Sequence, residues 1–400
     1  MRLKVRIPNV EPELYEMPSE CPYEDCHGTA FKEHQDGCPK ALRDPQHEQV
    51  KAKRCRCLRC GRTFRLYPKG VSRAQQSDAL KAFSVFLYLL GLSYGAVSDA
   101  LQALGTLLSK PLSLGKSTVY RNVQASGQKA RRLRHAWLQK GLRPRRGQRI
   151  RIIGADVTQV KCKGEELAVG VVVDDMTGIE LTIDILEDET AETQLAWLRE
   201  IAELVGAEVL VSDDADALKT VADELGLAHQ VCRAHVTKNT LRLVGELGSQ
   251  ALEAPDPVHR GVIRSLEQFV ADLETVQWLV ETHPHDGKEQ LEALHQLYCQ
   301  APAPREGEEA TMWYRMRLLT LDLWDDWPLL TLYQRWEGPQ GERLDGTNNA
   351  AERAIGWWVK ERYRSMRGYK RPESVLNVSS LLGWLGSQPA GYDLMELVAA

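Results

Sequence analysis

The spacing of apolar residues divides the chain into a front part with a helical period and a back part that begins with strands. From residue 149 the pattern is that of strands, and "RIRIIGADVTQV", "ELAVGVVVDD" and "GIELTIDIL" predict three in succession. "TAETQLAWLREIAELVG" predicts an amphipathic helix, "AEVLVSDD" a buried strand, "ADALKTVADELG" a second helix and "AHQVC" a fifth strand. The predicted order is therefore βββαβαβ.

The front part contains three predicted helices. "QSDALKAFSVFLYLLGLSYGAVSDALQALG" predicts two helices with a break near Gly91 and Ser93, and a third helix begins near Lys116. This order predicts a helix-turn-helix, although about ten residues separate the last two helices, against the usual 3–4. A plain three-helix bundle is the alternative. Four polar residues lie where a recognition helix reaches base edges: Ser117, Thr118, Arg121 and Asn122.

The region between the strands and the C-terminus is mostly helical. The 138 residues that separate Asp213 from Glu352 contain several long amphipathic segments, which predict an all-α insertion. "TNNAAERAIGWWVKERYRSMRGYK" then predicts a basic helix with Glu352 in its first turn, and "PESVLNVSSLLGWLGS" predicts a packing helix. The order βββαβαβ is typical of an RNase H-like fold, so we expect these later helices to pack on its sheet.

Charge is distributed unevenly along the chain. Residues 1–151 contain 29 Lys+Arg and 12 Asp+Glu, a net charge of +17, whereas the whole chain carries −4. Residues 100–155 contain 13 Lys+Arg and no acid. A solvated surface can produce such a segment, but its apolar periodicity favours a polyanion partner. We therefore expect double-stranded DNA to bind the front part. Four arginines of the acid-free segment are candidate phosphate contacts: Arg131, Arg132, Arg145 and Arg146.

Cysteines are concentrated near the N-terminus, where six of nine fall in the first 60 residues. "CLRCGRTF" is typical of a zinc knuckle, and the best ligand set is Cys21, Cys26, Cys57 and Cys60, which would form a tetrahedral structural site. The first pair has an irregular spacing, so Cys38, Cys55 and His27 stay open as alternative ligands. Buried free cysteines are the other interpretation.

Three carboxylates indicate a catalytic metal site. Asp156 lies within an apolar strand, where a charge is costly without a partner or a metal. Asp213 directly follows the fourth strand, which neighbours the first in an RNase H-like sheet, and Asp214 is its rival. Glu352 comes from a later helix, although a capping box with Asn349 would also explain it. Three converging carboxylates can hold two Mg²⁺ ions about 3.5–4 Å apart.

The chain resembles a DDE transposase of a bacterial insertion sequence, of the kind related to mutator-like transposases. The resemblance rests on "GADVTQVK", on "VLVSDDADALKTVADELGLAHQVCRAH", on "TNNAAERAI" with the later Lys, Arg and Gly-Tyr, and on the zinc-plus-helical front. Cys232 and His235 resemble the Cys-x-x-His signature of that group, although by spacing alone they form half a metal site. A core cysteine and a helix-cap histidine are the alternative.

The resemblance implies DNA strand cleavage and strand transfer at the ends of an insertion sequence, with Asp156, Asp213 and Glu352 as Mg²⁺ ligands. Lys360 and Arg364 would hold the DNA strand beside the metal pair. It also implies binding to terminal repeats and to target DNA, and a homodimer or larger assembly on DNA. A non-catalytic DNA-binding regulator derived from a transposase is the alternative function.

The predicted fold class is α/β: an RNase H-like mixed-sheet core with an all-α insertion, preceded by a zinc ribbon and a helix-turn-helix domain. No long apolar run and no apolar N-terminal segment occur, so we expect no membrane span and no signal peptide. We expect a cytoplasmic, nucleoid-associated prokaryotic protein. The predicted divisions are a zinc-ribbon-like domain (1–70), a helix-turn-helix and basic linker (71–148), a first core part (149–239), an all-α insertion (240–344), the Glu-bearing helix (345–372) and a C-terminal helix (373–400).

Overall fold

The computed structural model describes residues 3–141, 149–253, 264–366 and 368–399, except for the side chain of Asp36. The fold is mixed α/β with a mixed central sheet, as the sequence predicts. The N-terminal part holds six strands: β1 (Val5–Arg6), β2 (Glu11–Tyr15), β3 (Phe31–Ala41), β4 (Gln49–Cys57), β5 (Thr63–Leu66) and β6 (Pro68–Lys69). Strands β3, β4 and β5 form an antiparallel sheet, and β2 pairs with β6.

Three helices follow the N-terminal strands: α1 (Asp78–Leu89), α2 (Tyr94–Leu108) and α3 (Lys116–Gln139). Ser77 and Ser93 cap α1 and α2 by accepting hydrogen bonds from backbone N–H groups of the first turn. Gly91 has a φ of 114°, which a residue with a side chain rarely adopts, and it breaks the two helices near the predicted position. The assignment of these helices to a helix-turn-helix stays a prediction.

The central sheet has five strands: β7 (Ile152–Cys162), β8 (Glu165–Asp174), β9 (Ile179–Leu186), β10 (Val209–Ser212) and β11 (Ala228–Val231). Helix α4 (Ala191–Val205) connects β9 to β10, and α5 (Asp216–Glu224) connects β10 to β11. The order of the strands in space is β11-β10-β7-β8-β9. Strands β7, β8 and β9 are antiparallel neighbours, whereas β10 runs parallel to both β7 and β11. The carboxyl end of β10 therefore lies beside β7.

A group of helices follows β11: α6 (Arg233–Glu253), α7 (Leu266–Thr282), α8 (Gly287–Tyr298), α9 (Met312–Leu330) and α10 (Leu332–Arg335). Helices α6 to α9 share a hydrophobic cluster with Val231 of β11, in which Phe269 packs edge-on against Trp313 with ring centroids 4.7 Å apart. That these helices form a separate all-α domain stays a prediction.

The C-terminal part completes the core. It contains α11 (Asn349–Ala354), a π-helical turn (Ile355–Lys360), α12 (Glu361–Met366), α13 (Pro372–Gly386), β12 (Tyr392–Asp393) and α14 (Met395–Val398). Strand β12 pairs with β1, so the two ends of the described chain meet.

Helix α3 packs in the middle of the molecule. A Cβ added at Gly127 would lie 2.2 Å from the carbonyl oxygen of Asn377, so α3 and α13 touch backbone to backbone. Helices α1 to α3, strand β8 and helices α11 and α13 contribute side chains to one hydrophobic cluster. The front helices thus share a core with the helix that carries Glu352.

Arg362 joins α12 to the break between α1 and α2. Its guanidinium donates to the carbonyl of Gly91 (2.8 Å) and to that of Leu92, and it lies 4.2 Å from the centre of the Tyr88 ring. The side chain is buried, so these contacts offset the desolvation of its guanidinium. They hold the Glu-bearing segment against the front helices.

In the part of the chain that the structure describes, no helix is both long and apolar enough to cross a membrane.

Candidate active site and zinc site

Asp156 lies within β7 and is half-buried. Its Oδ1 accepts a hydrogen bond of 2.8 Å from the backbone N–H of Val157. Burial, followed by the nearby carboxylates of Asp213 and Glu352, raises the pKa of Asp156 to about 6, whereas the Val157 hydrogen bond and His235 act in the opposite direction. These neighbours show that three acids from distant parts of the sequence share one electrostatic environment.

Asp213 directly follows β10. Its Oδ1 is buried and has no hydrogen-bond partner within the described residues, and burial raises its pKa. The backbone beneath it is supported by a buried relay, because Ser212 Oγ donates to the Asp213 carbonyl (2.9 Å) and lies 2.8 Å from His229 Nε2. An orphaned carboxylate oxygen in such a place is typical of a group that binds a cation.

Asp214 faces a different element from Asp213. Its carboxylate lies 2.8 Å from the ammonium of Lys219, which also donates to Asp326 on α9 at 2.7 Å. This ion pair gives Asp214 a structural partner, whereas Asp213 Oδ1 has neither a hydrogen bond nor an ion pair within the described residues. The geometry therefore favours Asp213 over Asp214 as the candidate ligand.

Glu352 lies in the first turn of α11, with 41% of its side chain exposed. The predicted capping box is wrong: Asn348, not Asn349, occupies the N-cap, and no side chain caps the helix. Glu352 Oε1 instead lies 3.6 Å from His235 Nε2 on α6. Glu352 therefore contacts a residue of another helix, α6, and the local sequence pattern could not indicate this contact.

Asn348 fixes the start of α11 against the sheet. Its side-chain amide donates to the carbonyl of Ala155 on β7 (2.9 Å), and its backbone N–H donates to Cys232 Sγ (3.3 Å). A third hydrogen bond of 2.9 Å runs from the N–H of Arg233 to the carbonyl of Gly346. Asn348 and Cys232 are fully buried, so these bonds hold Glu352 in register with Asp156. The sequence analysis did not identify Asn348.

The π-helical turn that follows Glu352 presents exposed side chains. Trp357 is 49% exposed, and Arg364 and Arg353 are also exposed, whereas Lys360 is half-buried. Single π-helical turns inside helices are frequent at functional sites. Lys360 and Arg364 were predicted from the sequence, whereas Trp357 was not.

The predicted DNA contacts on α3 separate into two groups. Ser117 and Arg121 are exposed and Thr118 is half-buried, and Thr118 and Arg121 line a cleft of about 420 Å³ together with Arg43. Asn122, by contrast, is buried, and its side chain hydrogen-bonds those of Gln76 (2.9 Å) and Ser84 (3.0 Å). Those partners already engage the amide of Asn122, although the residue also borders the same cleft, and its role as a DNA contact stays a prediction.

The other predicted arginine contacts lie further along α3 or beyond it. Arg132 is exposed, whereas Arg131 is half-buried with its guanidinium 3.9 Å from Asp184 on β9. Arg145 and Arg146 lie outside the described residues.

Four cysteine sulfurs converge in the N-terminal part. The Sγ atoms of Cys21, Cys26, Cys57 and Cys60 lie within 4.8 Å of one another, with Cys21–Cys60 and Cys26–Cys57 both 3.8 Å apart. A tetrahedral Zn²⁺ with Zn–S bonds of about 2.3 Å separates its sulfurs by about 3.8 Å. The four thiols therefore fit a structural zinc ion.

The surroundings favour thiolates at two of the four cysteines, whereas burial raises the pKa of Cys21 and of Cys26. Hydrogen bonding from Arg62 lowers the pKa of Cys60 to about 6, and backbone N–H groups lower that of Cys57. The alternative ligands lie elsewhere: Cys38 is exposed, and His27 pairs with Glu20 at 3.3 Å.

Comparisons with known proteins find weak structural likenesses. No protein-family model matches the chain, and no curated protein matches it. Retroviral integrase structures resemble it weakly. The HTLV-2 integrase catalytic core domain in complex with magnesium is 20% identical over 34% of this chain and 87% of that one, with a TM-score of 0.19. The BIV integrase catalytic core is 13% identical over 48% of this chain and 90% of that one, with a TM-score of 0.18.

A simian T-cell lymphotropic virus intasome in complex with PP2A regulatory subunit B56 gamma is 12% identical over 50% of this chain and 75% of that one, with a TM-score of 0.19. Likenesses this low carry no argument about fold or activity.

Proposed function

We propose that the chain is a DDE transposase that binds the terminal repeats of its element and catalyses Mg²⁺-dependent DNA cleavage and strand transfer. The observation that carries the proposal is that the charges of Asp213 and Glu352 both act on Asp156 and raise its pKa, although 196 positions separate Asp156 from Glu352 in the sequence. The strand order is β11-β10-β7-β8-β9, in which β7, β8 and β9 are antiparallel neighbours and β10 is parallel to both β7 and β11. This order is the one expected of an RNase H-like core.

The donor set suits magnesium. Mg²⁺ prefers carboxylate oxygens, and the three acids offer six, one of them the unpartnered Oδ1 of Asp213. Asp156, Asp213 and Glu352 would hold the ions, and two bound Mg²⁺ ions would supply an activated water and charge stabilisation at the scissile phosphate. Asn348 and the Ser212–His229 pair keep the carboxylates in place.

Basic groups near the acids would hold the DNA strand. Arg353, Lys360 and Arg364 follow Glu352 on the same helical segment, where their charges can pair with phosphates. Ser117, Thr118 and Arg121 at the start of α3 stay the candidates for contacts to the terminal repeat. Arg131, Arg132, Arg145 and Arg146 stay candidates for phosphate contacts, and assembly as a dimer or larger complex on DNA is part of the proposal.

The decisive experiment measures Mg²⁺-dependent cleavage of candidate end DNA by Asp156→Asn, Asp213→Asn and Glu352→Gln. We expect each to lose roughly 100-fold or more in cleavage rate while end binding is retained. Asp214→Asn and Glu361→Gln are the matched controls, because they remove acids outside the proposed ligand set. Cleavage by Asp156→Asn at the wild-type rate would overturn the proposal. A wild-type chain that binds ends and never cleaves them would instead be a DNA-binding regulator.

A further inference from the structure

Cys232, His235 and Glu352 form a second cluster of metal-binding groups. One ligand atom from each lies within 4.8 Å of the other two, and His235 Nε2 is 3.6 Å from Glu352 Oε1. Three protein ligands around Zn²⁺, at bonds of about 2.0–2.3 Å, lie roughly 3.3–3.8 Å apart. The His235–Glu352 distance already matches this spacing, and side-chain movements of about 1 Å would bring all three ligand atoms around one ion.

The chemistry of the three groups selects a borderline cation over Mg²⁺. A thiolate and an imidazole are ligands typical of Zn²⁺, whereas Mg²⁺ prefers oxygen. The thiolate of Cys232 and the carboxylate of Glu352 would together neutralise a divalent ion, and the thiol proton of Cys232 would leave to solvent on binding. Three protein ligands leave a fourth tetrahedral position open.

The surroundings of the cluster stabilise a thiolate at Cys232 and leave a path by which a Zn²⁺ ion can enter. Cys232 Sγ is fully buried and already accepts a hydrogen bond from the backbone N–H of Asn348, which stabilises negative charge on the sulfur. His235 and Glu352 keep 40% and 41% of their side chains exposed, so an ion can enter from their side. His235 Nδ1 has no hydrogen-bond partner within the described residues. We therefore expect weaker zinc affinity here than at the four cysteines.

We propose that Cys232, His235 and Glu352 form a reversible Zn²⁺ site that competes with the catalytic metal ions for Glu352. A zinc ion held by Cys232 and His235 would draw the Glu352 carboxylate toward itself and so compete with the magnesium site for one of its three carboxylates. Free zinc then inhibits the protein. The inhibition rests on the proposed function, whereas the zinc site itself does not.

Zinc stoichiometry of the full chain tests the site without any cleavage assay. Native mass spectrometry at micromolar free zinc should find two zinc ions per wild-type chain and one in Cys232→Ser and in His235→Ala. Cys299→Ser and His285→Ala are the matched controls and should keep two. Circular dichroism checks that each variant is folded. A single zinc in the wild-type chain, or a second zinc that persists in both site variants, overturns the proposal.

Competition for Glu352 is tested with Mn²⁺ as a spectroscopic substitute for Mg²⁺. Electron paramagnetic resonance should show that added zinc displaces Mn²⁺ from the wild-type chain but not from His235→Ala. Asp156→Asn should lose Mn²⁺ binding yet keep the second zinc. If wild type binds the second zinc but no Mn²⁺, the proposed function fails while the zinc site stands. Zinc and Mn²⁺ bound together, without displacement, would overturn the competition.

Discussion

Replacing Asp156 by Asn should stabilise the protein and abolish its response to magnesium. Asn has nearly the same shape and keeps the oxygen that accepts the Val157 hydrogen bond. It removes a charge whose pKa is raised from its usual 3.8 to about 6 by burial and by the acids nearby. The change therefore isolates the cost of holding that charge in the folded state.

The magnitude follows from the pKa difference. Because the folded-state pKa lies above the unfolded one, the folded protein binds the proton more tightly, and stability falls as the pH rises from about 4 to about 6. Two pH units at about 1.4 kcal/mol each give a full penalty of up to about 3 kcal/mol above pH 7. Asp156→Asn should recover up to that amount at pH 8 and about half of it at pH 5.

The assay is urea unfolding of both proteins without added Mg²⁺, at pH 8 and pH 5, and again at pH 8 with Mg²⁺. Magnesium should stabilise the wild type, by about 1.4 kcal/mol at ten times its dissociation constant, and leave Asp156→Asn unchanged. Asp223→Asn, which removes an exposed acid on α5, should change stability by no more than about 0.5 kcal/mol. The reasoning is refuted if Asp156→Asn is no more stable than wild type at pH 8, or if magnesium stabilises both equally.

Three further predictions concern the second carboxylate, the DNA contacts and the zinc ion. Asp213→Asn should abolish cleavage, whereas Asp214→Asn should keep it and lose about 1 kcal/mol of stability through the Lys219 ion pair; the opposite pattern in a cleavage assay would reassign the ligand. Arg121→Ala should narrow the affinity gap between end DNA and random DNA by roughly 1–3 kcal/mol, and titrations that show an equal loss on both DNAs would make it a phosphate contact. Cys57→Ser should release the structural zinc and lower the melting temperature, and a zinc content equal to wild type would show that the ion binds elsewhere.

The local pattern of the sequence was sufficient to predict the mixed α/β fold, an acid within an apolar strand and a pair of zinc-binding cysteines. Strand and helix periods extend over a few residues, so they can be recognised without knowledge of the contacts between elements. Asp156 stood out because a lone acid in an apolar strand is costly unless it has a partner. The knuckle "CLRCGRTF" stood out because two thiols two residues apart can hold one ion. The helix-turn-helix and the domain boundaries stay predictions.

Only the tertiary structure decided which groups meet. Asp213 and Asp214 are neighbours in sequence, but Asp214 pairs with Lys219, which also binds Asp326 on α9, and this contact leaves Asp213 as the proposed ligand. Asn122 has a side chain that could hydrogen-bond a base edge, but the packing of α3 against α1 buries it.

Asn348 contacts Ala155 from 193 positions away and Cys232 from 116 positions away, and both contacts fix Glu352. A periodic pattern reports which side of an element is apolar and nothing about which distant element covers it. The site is therefore a property of the packing, because its hydrogen bonds and ligand groups come from β7, β10, α6 and α11, which only the folded core brings together.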